Sequence, residues 1–398
     1  MRFLTLLPFF GLSACQTFSQ ESSPSPPSQV TYAWATFSAD KELRSGASGV
    51  ADRRSGRLVT VDDPARVASV SKLIVALGVM RLVEQGRVDL DTDVSGWLGW
   101  QLRNPAFPNV PITLRRLLSH TSSLQDAGEA YVIPLGSTVR GAVSDAKVYD
   151  RGHAPGTFFR YSNLNFPIIA SALEKATGER FDRLIHGLVL KPLGLDACFN
   201  WTMCSDSKVA RAVTLYRPDG SVALDDLQGK QPPCPVFRRG TECDLDRYEL
   251  GSNGALFSPQ GGLRASVRDL AVIGQLLLNG GRHRGRPFLS KASIDTILTP
   301  VWRFNGSNGD TTDGFYCAYG LAAQSLPVRV TGCKDDLLRG RRFAGHAGEA
   351  YNLRSGLWID PRRKVGIAYF AANNPADPPA GRSAYRAIEE WLAARIDD

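Results

Sequence analysis

The sequence predicts a mixed α/β (α+β) fold in which one antiparallel sheet is built from both ends of the chain. Near the N-terminus, residues 30–38 alternate in the manner of a half-buried strand. Near the C-terminus, residues 353–360 and 365–372 are two more strand-like segments. The Asp360-Pro361-Arg362-Arg363-Lys364 stretch that joins them is typical of a hairpin turn.

The part of the chain between these strands is mostly helical. Gly49 and Gly56 divide one or two short strands, and helices are then expected at 114–118, at 165–190 with a break at Gly178, at 267–278 and at 382–396. We therefore expect a sheet lobe (about 30–75 and 340–398) with flanking helices, and a mostly helical second lobe (about 76–339). Pockets tend to form at such a seam.

The most informative helix begins near Ser69 and carries Lys72 one turn later. Its apolar run reaches Val83 and ends before Gly86, which predicts a helix buried on most sides. Ser69 would lie in the first turn, where unpaired N–H groups stabilise negative charge. Ser69 is either a helix cap or a nucleophile. Burial of Lys72 would lower its pKa from the usual ~10.4, and a neutral amine can accept the serine proton, so we favour the nucleophile.

Two of the other Ser-x-x-Lys matches in the chain have a clearly different setting. Ser144 and Lys147, like Ser205 and Lys208, lie in polar surroundings with no apolar helix behind them. We predict that both are solvated surface segments.

Tyr161-Ser162-Asn163 is the single Tyr-x-Asn match in the chain. A phenol beside a lysine can relay protons, and an amide can hold the lysine or a substrate carbonyl. Taken alone, the same residues are more typical of a loop tyrosine and a turn asparagine.

His346-Ala347-Gly348 lies in a predicted strand of small residues. Such a strand lets a substrate lie against the backbone, and a nearby N–H can complete an oxyanion hole. The His283-Arg284-Gly285 and Lys364-Val365-Gly366 stretches match the pattern too, but in a basic loop and at the start of a hairpin strand.

These three motifs, in this order, resemble those of the class C β-lactamase, D-alanyl-D-alanine carboxypeptidase and esterase superfamily of serine hydrolases, from about residue 30 to the end. Leu117 to Leu124 is similar to the family's Leu-Leu-Ser-His-Thr-Ser-Gly-Leu, with Ser123 in place of the glycine. Gly261 to Leu270 is similar to its Gly-Gly-Leu helix start. We interpret both as structural, so His120 is not expected to be the catalytic base.

The resemblance implies a β-lactamase/transpeptidase-like fold, no cofactor and no metal. It implies an acylated Ser69 with Lys72 as proton partner, Tyr161 as general base or acid, and Asn163 as a hydrogen-bond partner of substrate and lysine. The implied substrate-binding strand is His346, Ala347 and Gly348, and the implied oxyanion hole is made by the backbone amides of Ser69 and Glu349. A Ser-His-Asp hydrolase is disfavoured, since the chain has no Gly-x-Ser-x-Gly elbow.

His346 is the main departure from the family pattern. Class C β-lactamases have Lys-Thr-Gly there, and a histidine, with an unperturbed pKa near ~6.5, carries that charge only when protonated. We therefore expect a carboxypeptidase or esterase acting on an ester or a D-amino-acid peptide, with weak turnover of β-lactams. A class C-like β-lactamase and a non-catalytic penicillin-binding-fold protein are the alternatives.

The first 29 residues predict export. Residues 1–14 have the basic start and short apolar run of a signal peptide, and the Leu-Ser-Ala-Cys ending resembles the lipobox of bacterial lipoproteins. Cys15 would then be lipidated and residues 15–29 would form a disordered tether. A Gln rather than an Asp at position 16 resembles the sorting signal of outer-membrane lipoproteins. We therefore expect a protein that is anchored in the cell envelope, in the outer membrane, through its lipid and that faces the periplasm. A plain signal peptide with an unrelated cysteine is the alternative.

Composition narrows the kinds of partner and of cysteine chemistry that the chain can have. The net charge is +8, but the basic residues are scattered, which argues against a nucleic-acid partner. Apart from Cys15, six of the seven cysteines remain, which allows fifteen pairings. We expect nearest-neighbour disulfides in an oxidising compartment and disfavour a zinc site, because the spacings lack a close Cys-x-x-Cys pair. The expected pairs are Cys198–Cys204, Cys234–Cys243 and Cys317–Cys333.

Overall fold

The computed structural model of the protein describes residues 30–240 and 242–398. The predicted signal peptide, the tether and Cys15 lie outside the described residues. The strands are β1 (Thr31–Ser38), β2 (Glu42–Ser48), β3 (Val50–Asp52), β4 (Arg57–Leu58), β5 (Ala65–Arg66), β6 (Cys198–Phe199), β7 (Leu215–Tyr216), β8 (Val222–Leu224), β9 (Leu263–Ala265), β10 (Arg282–His283), β11 (Arg286–Pro287), β12 (Trp302–Arg303), β13 (Ala318–Tyr319), β14 (Gln324–Leu326), β15 (Phe343–Ala350), β16 (Leu353–Asp360) and β17 (Val365–Ala372).

The α-helices are α1 (Ser71–Glu84), α2 (Ser95–Leu98), α3 (Leu114–Leu118), α4 (Val139–Ala142), α5 (Asn165–Thr177), α6 (Phe181–Ile185), α7 (Asp206–Val209), α8 (Val267–Leu278), α9 (Lys291–Leu298) and α10 (Ala387–Ala393). Shorter turns of 3₁₀-helix are Ala68–Val70, Ala146–Val148 and Ala394–Asp397, and His186–Leu190 is a π-helical turn. Within the described ranges, no helix is both long enough and apolar enough for a membrane span.

The predicted fold class is confirmed by the main sheet. In the described part of the chain it has eight strands in the order β12-β13-β14-β15-β16-β17-β1-β2. The two ends of the chain meet where β1 pairs antiparallel with β17, with Trp34 opposite Tyr369. The β16–β17 hairpin has the predicted bounds.

The alternation of side chains along these strands produces two cores. On one face Phe37 and Phe370 belong to the large core that includes α1 and α8. On the other face Trp34 and Tyr369 pack with Leu392 of α10. Both faces of the central strands are therefore covered, which explains why β17 reads as an almost continuous apolar run.

Two predicted boundaries are wrong. The helical lobe does not extend to residue 339, because β12, β13 and β14 extend the main sheet and α8 packs on β17 and β1. The last helix is α10, shorter than 382–396, because Glu390 accepts hydrogen bonds from the N–H groups of Arg382 (3.0 Å) and Ser383 (2.8 Å) and holds them in a loop.

The three expected disulfides are confirmed. The structure has bonds between Cys198 and Cys204, between Cys234 and Cys243, and between Cys317 and Cys333. The first lies in a small buried cluster of its own, and the third lies in the core behind Tyr161.

Candidate active site

Ser69 lies in the Ala68–Val70 3₁₀ turn, immediately before α1. The turn is fixed from two sides: Val67 donates its N–H to Leu263 O of β9 (3.0 Å), and Ser355 Oγ of β16 donates to Val67 O (2.8 Å). Ala68 has a positive φ of 45°, which is costly for a residue other than glycine and persists only where the surroundings hold it. The position of Ser69 is therefore set by both neighbouring strands.

The hydroxyl of Ser69 has two close partners. Its Oγ is 2.9 Å from Lys72 Nζ and 2.9 Å from Tyr161 OH. Lys72 shares a helical face with Ser69, whereas Tyr161 reaches the site from the loop before α5. The structure thus brings together the three residues that the sequence analysis names as catalytic candidates.

Lys72 is fully buried at the start of α1. Besides Ser69, its amine contacts Asn163 Oδ1 (2.9 Å) and Gln260 O (2.8 Å). Burial lowers the pKa of Lys72 to about 7, because desolvation penalises the ammonium, and the carboxylate of Asp126 only partly opposes this. A substantial fraction of the amine is therefore neutral near pH 7.

Asp126 fixes the orientation of Asn163 and was not singled out from the sequence. Its carboxylate accepts hydrogen bonds from Ser162 Oγ (2.9 Å), Leu164 N (3.0 Å), and both the backbone N–H and Nδ2 of Asn163 (2.9 Å each). With Nδ2 committed to Asp126, Oδ1 of Asn163 faces Lys72. Asp126 follows the Leu117–Leu124 stretch in the sequence, and that proximity is the only signal that could have found it.

Tyr161 lies between two other rings. It stacks on His120 (4.2 Å between ring centroids) and on Tyr316 (4.6 Å). Burial raises the pKa of Tyr161, so its phenol is protonated at neutral pH. His120 Nδ1 accepts a hydrogen bond from Ser162 N (3.0 Å), and burial lowers the pKa of this histidine well below its usual value. A neutral His120 thus supports the loop that carries Tyr161.

The β15 strand passes directly beside the Ser69 turn. A Cβ at Gly348 would lie only 2.6 Å from Val67 O, and 3.1 Å from Ser69 N, so a glycine is needed for this approach. Ala347, Gly348 and Glu349 all border the cavity in which Ser69 lies. Ser69 and Glu349, whose backbone amides form the expected oxyanion hole, thus border the same cavity.

His346 does not take the position expected of a substrate contact. Its side chain is fully buried and does not border the cavity. Tyr319 OH lies 2.6 Å from His346 Nε2, and Nδ1 contacts Ala347 O, so Nδ1 carries the proton and Nε2 accepts. Burial lowers the pKa of His346 to about 3, so it is neutral. Successive side chains of a strand point to opposite faces, and the His346 ring points to the interior. His346 therefore supports β15 on the side away from the cavity.

The cavity has a volume of about 1310 Å³ and reaches both lobes. Ser69, Tyr161 and Asn163 lie on one side, and residues 232–237 of the cysteine-rich segment form part of its wall. In the ranges that the structure describes, no group of three or more His, Cys, Asp and Glu side chains could hold a metal ion.

Comparison with known proteins finds a family model and relatives that are hydrolases. A family model described as Beta-lactamase matches residues 28–390. Esterase EstB of Burkholderia gladioli is 36% identical over 38% of this chain and 42% of its own length. The D-alanyl-D-alanine-carboxypeptidase/endopeptidase AmpH of Escherichia coli K12 is 34% identical over 34% of this chain and 36% of its own length. These matches thus span less than half of each relative.

A solved structure shares the whole fold. The D-amino acid amidase of Ochrobactrum anthropi SV3, complexed with L-phenylalanine, has a TM-score of 0.65 at 19% identity and covers 92% of both chains. At this identity the likeness concerns the fold. The family model, by contrast, covers almost the whole sequence. The chain therefore belongs to the beta-lactamase family of serine hydrolases.

Proposed function

We propose that the protein is a periplasmic serine hydrolase that forms an acyl-enzyme on Ser69 and acts on an ester or a D-amino-acid amide. The observation that carries the proposal is that Ser69 Oγ lies 2.9 Å from both Lys72 Nζ and Tyr161 OH at the wall of a large cavity. The esterase and carboxypeptidase among its relatives support the choice of substrate class.

Lys72 is the base of acylation in this proposal. A neutral amine has two N–H groups and one lone pair, and its Asn163 and Gln260 partners are oxygen acceptors. The two N–H groups serve those oxygens, so the lone pair faces Ser69. Ser69 Oγ attacks the substrate carbonyl carbon while its proton moves to Lys72 Nζ.

Tyr161 and the backbone complete the step. The carbonyl oxygen becomes an oxyanion that the amides of Ser69 and Glu349 stabilise. When the bond to the leaving group breaks, Tyr161 gives its proton to the departing oxygen or nitrogen and regains one from Lys72. Water then attacks the Ser69 ester, Lys72 accepts its proton, and Ser69 Oγ leaves with a proton restored.

The neutral His346 argues for weak β-lactam turnover. In place of a fixed lysine charge, this strand has a buried, uncharged ring. A β-lactam carboxylate would gain no charge-assisted hydrogen bond from it. We expect a fluorescent penicillin to acylate Ser69 slowly, and nitrocefin hydrolysis to be much slower than ester hydrolysis.

The deciding experiment is intact-mass detection of the acyl-enzyme across esters, D-alanyl peptides and β-lactams. We expect one acyl adduct per chain in the wild type and none in Ser69→Ala. Ser205→Ala, in a second Ser-x-x-Lys match, is the matched control and should be acylated like the wild type. Full hydrolysis by Ser69→Ala would rule the mechanism out.

We also propose that the protein is exported and anchored in the cell envelope through a lipid on Cys15. The three disulfides support this, because such bonds persist in an oxidising compartment. Metabolic labelling with a radioactive fatty acid should tag the wild type and not Cys15→Ser. Processing that is unaffected by globomycin would contradict lipidation.

A further inference from the structure

Two arginines lie side by side on the wall of the Ser69 cavity. Arg66 on β5 is paired with Arg264 on β9, and both border the cavity. Like charges on adjacent strands destabilise each other unless anions compensate them. The way in which each charge is compensated therefore indicates what the cavity binds.

Arg264 is held by the protein through four of its five N–H donors. Its guanidinium forms a bidentate ion pair with Asp225 (2.8 and 3.2 Å) and donates to Asn200 Oδ1 (2.7 Å) and Gly262 O (2.8 Å). The Asp225 carboxylate also accepts the indole N–H of Trp201 (2.8 Å). One carboxylate is thus committed to one of the two arginines.

Arg66 has no such partner. Across residues 30–240 and 242–398, its side chain makes no hydrogen bond and no ion pair, and its Nε is buried without an acceptor. Its contact is with the face of Tyr351, 5.1 Å from the ring centroid. Desolvation and the Arg264 charge lower the pKa of Arg66 to about 10, so it remains charged at neutral pH. Arg66 is half-buried, and its buried Nε–H without an acceptor is costly unless a ligand supplies one.

We propose that Arg66 anchors a carboxylate of the substrate, three residues before Ser69 in the chain and in the same cavity. The planar guanidinium fork matches a carboxylate with two parallel hydrogen bonds. This charge belongs to the β5–β9 pair, whereas the uncharged His346 belongs to β15. This inference rests on the proposed function and narrows its substrates to acids, with the carboxylate on either the acyl part or the leaving group.

Matched substrate pairs test the anchor. The acyl arm compares the mono-p-nitrophenyl ester of succinate with p-nitrophenyl butyrate. The leaving-group arm compares an N-benzoyl-glycyl thioester of mercaptoacetate with that of mercaptoacetamide. In Arg66→Gln we expect the acid-over-neutral ratio of kcat/KM to fall about 10- to 100-fold in one arm, the range for hydrogen bonds to a charged group. The arm that responds locates the carboxylate.

The controls separate charge recognition from folding. Arg239→Gln removes another arginine of the cavity wall, one that is exposed, and should leave both ratios unchanged. Arg66→Lys keeps the charge but not the fork and should retain part of the preference. If Arg66→Gln lowers kcat/KM equally for acid and neutral substrates, or changes neither ratio, the anchor is refuted.

A binding measurement keeps the inference testable if no substrate is hydrolysed. Such a failure would count against the proposed function alone. Calorimetric titration of Ser69→Ala with N-benzoyl-D-alanine and with N-benzoyl-D-alaninamide compares an acid with its neutral analogue in the absence of acylation. We expect tighter binding of the acid, and loss of that preference in Ser69→Ala/Arg66→Gln. Equal affinities for acid and amide in the Ser69→Ala protein would overturn the anchor.

Discussion

At the scale of single residues, the site depends on a lysine that is kept partly uncharged. Lys72 is buried, and its two fixed partners are the oxygens of Asn163 and Gln260, which are neutral. No carboxylate forms an ion pair with it among the described residues. Uncharged acceptors solvate the amine without restoring the full stability of the ammonium, so the amine is available as a base.

The pH dependence of hydrolysis should follow Lys72. Its pKa is lowered to about 7, and the base is the deprotonated form, so kcat/KM should rise as the pH increases through about 7 and then level off. The plateau should continue to about pH 9, because the raised pKa of Tyr161 keeps its phenol protonated there. Initial rates with a p-nitrophenyl ester between pH 5 and 9 measure this. A profile without a change near neutral pH would contradict the role of Lys72.

Asp126→Asn should impair the site without unfolding it. All four donors that face this carboxylate would then meet an NH₂ group or a weaker acceptor, and Asn163 could turn its own NH₂ toward Lys72. We expect kcat/KM to fall about 10- to 100-fold but stability to fall by no more than about 1 kcal/mol, because Asp126 is exposed and water can replace its hydrogen bonds.

A pH profile distinguishes positioning from a general loss of structure. Asp126 raises the pKa of Lys72, so its neutralisation should move the rise in kcat/KM to lower pH. Asp145→Asn is the control, since that carboxylate accepts the Lys147 N–H (2.9 Å) at an exposed turn. An unshifted profile would mean that Asp126 acts only on stability.

At the scale of elements, the decisive contact is between β15 and the Ser69 turn. The strand is held in the sheet by β14 and β16, and the turn is held by β9 and β16. Both are therefore anchored independently of α1, and they meet at Gly348. This rigid frame holds the amides of Ser69 and Glu349 in place before a substrate arrives.

Gly348→Ala should disturb this contact. The new Cβ would lie 2.3 Å from Ser355 Oγ and 2.6 Å from Val67 O, so the strand and the turn must separate. Since a displacement of about 1 Å can cost ~100-fold in rate, we expect acylation of Ser69 to slow by about that factor. Gly96→Ala in α2, where a Cβ meets nothing within 4 Å, is the control and should be neutral. The rate of Ser69 acylation is measured by rapid quenching followed by intact-mass analysis. Acylation of Gly348→Ala at the wild-type rate would exclude the proposed amide geometry.

Elements with a strong local pattern could be predicted from the sequence, and those set by distant pairing could not. The bounds expected for α8 agree with the structure, where Ser266 caps the helix, and the Asp360–Lys364 turn predicted the hairpin. Strands β12 to β14 contain two or three residues each, too few for any periodicity, and they exist because β15 offers an edge.

The same distinction applies to the site. Ser69, Lys72 and Tyr161 lie in recognisable motifs, and the structure brings them together. The unpaired state of Arg66 depends on β5 pairing with β9, roughly 200 positions away in the chain, and no local pattern reports it. The burial of His346 likewise depends on Tyr319 of a neighbouring part of the sheet.

At the scale of the whole molecule, the cavity wall combines catalytic and non-catalytic parts. The Ser69 turn, α1 and the loop before α5 supply the reacting groups. Residues 225–237 of the irregular segment form another side of the wall and, within the part of the chain that the structure describes, make no hydrogen bond to Ser69, Lys72 or Tyr161. The Cys234–Cys243 bond closes part of this segment, so it shapes the wall rather than the reacting groups. This segment can thus alter the shape of the cavity without moving the reacting groups.

The Cys234→Ser/Cys243→Ser variant should therefore change substrate preference more than chemistry. Release of a loop of nine residues removes at most about 2–3 kcal/mol of stability, and Ser69 keeps its partners. We expect kcat/KM for a D-alanyl peptide to fall several-fold relative to a small p-nitrophenyl ester. Cys317→Ser/Cys333→Ser is the matched comparison, because that bond lies in the core behind Tyr161 and its loss should lower both activities together. If the peptide-to-ester ratio is the same in both double variants and in the wild type, the segment does not select the substrate.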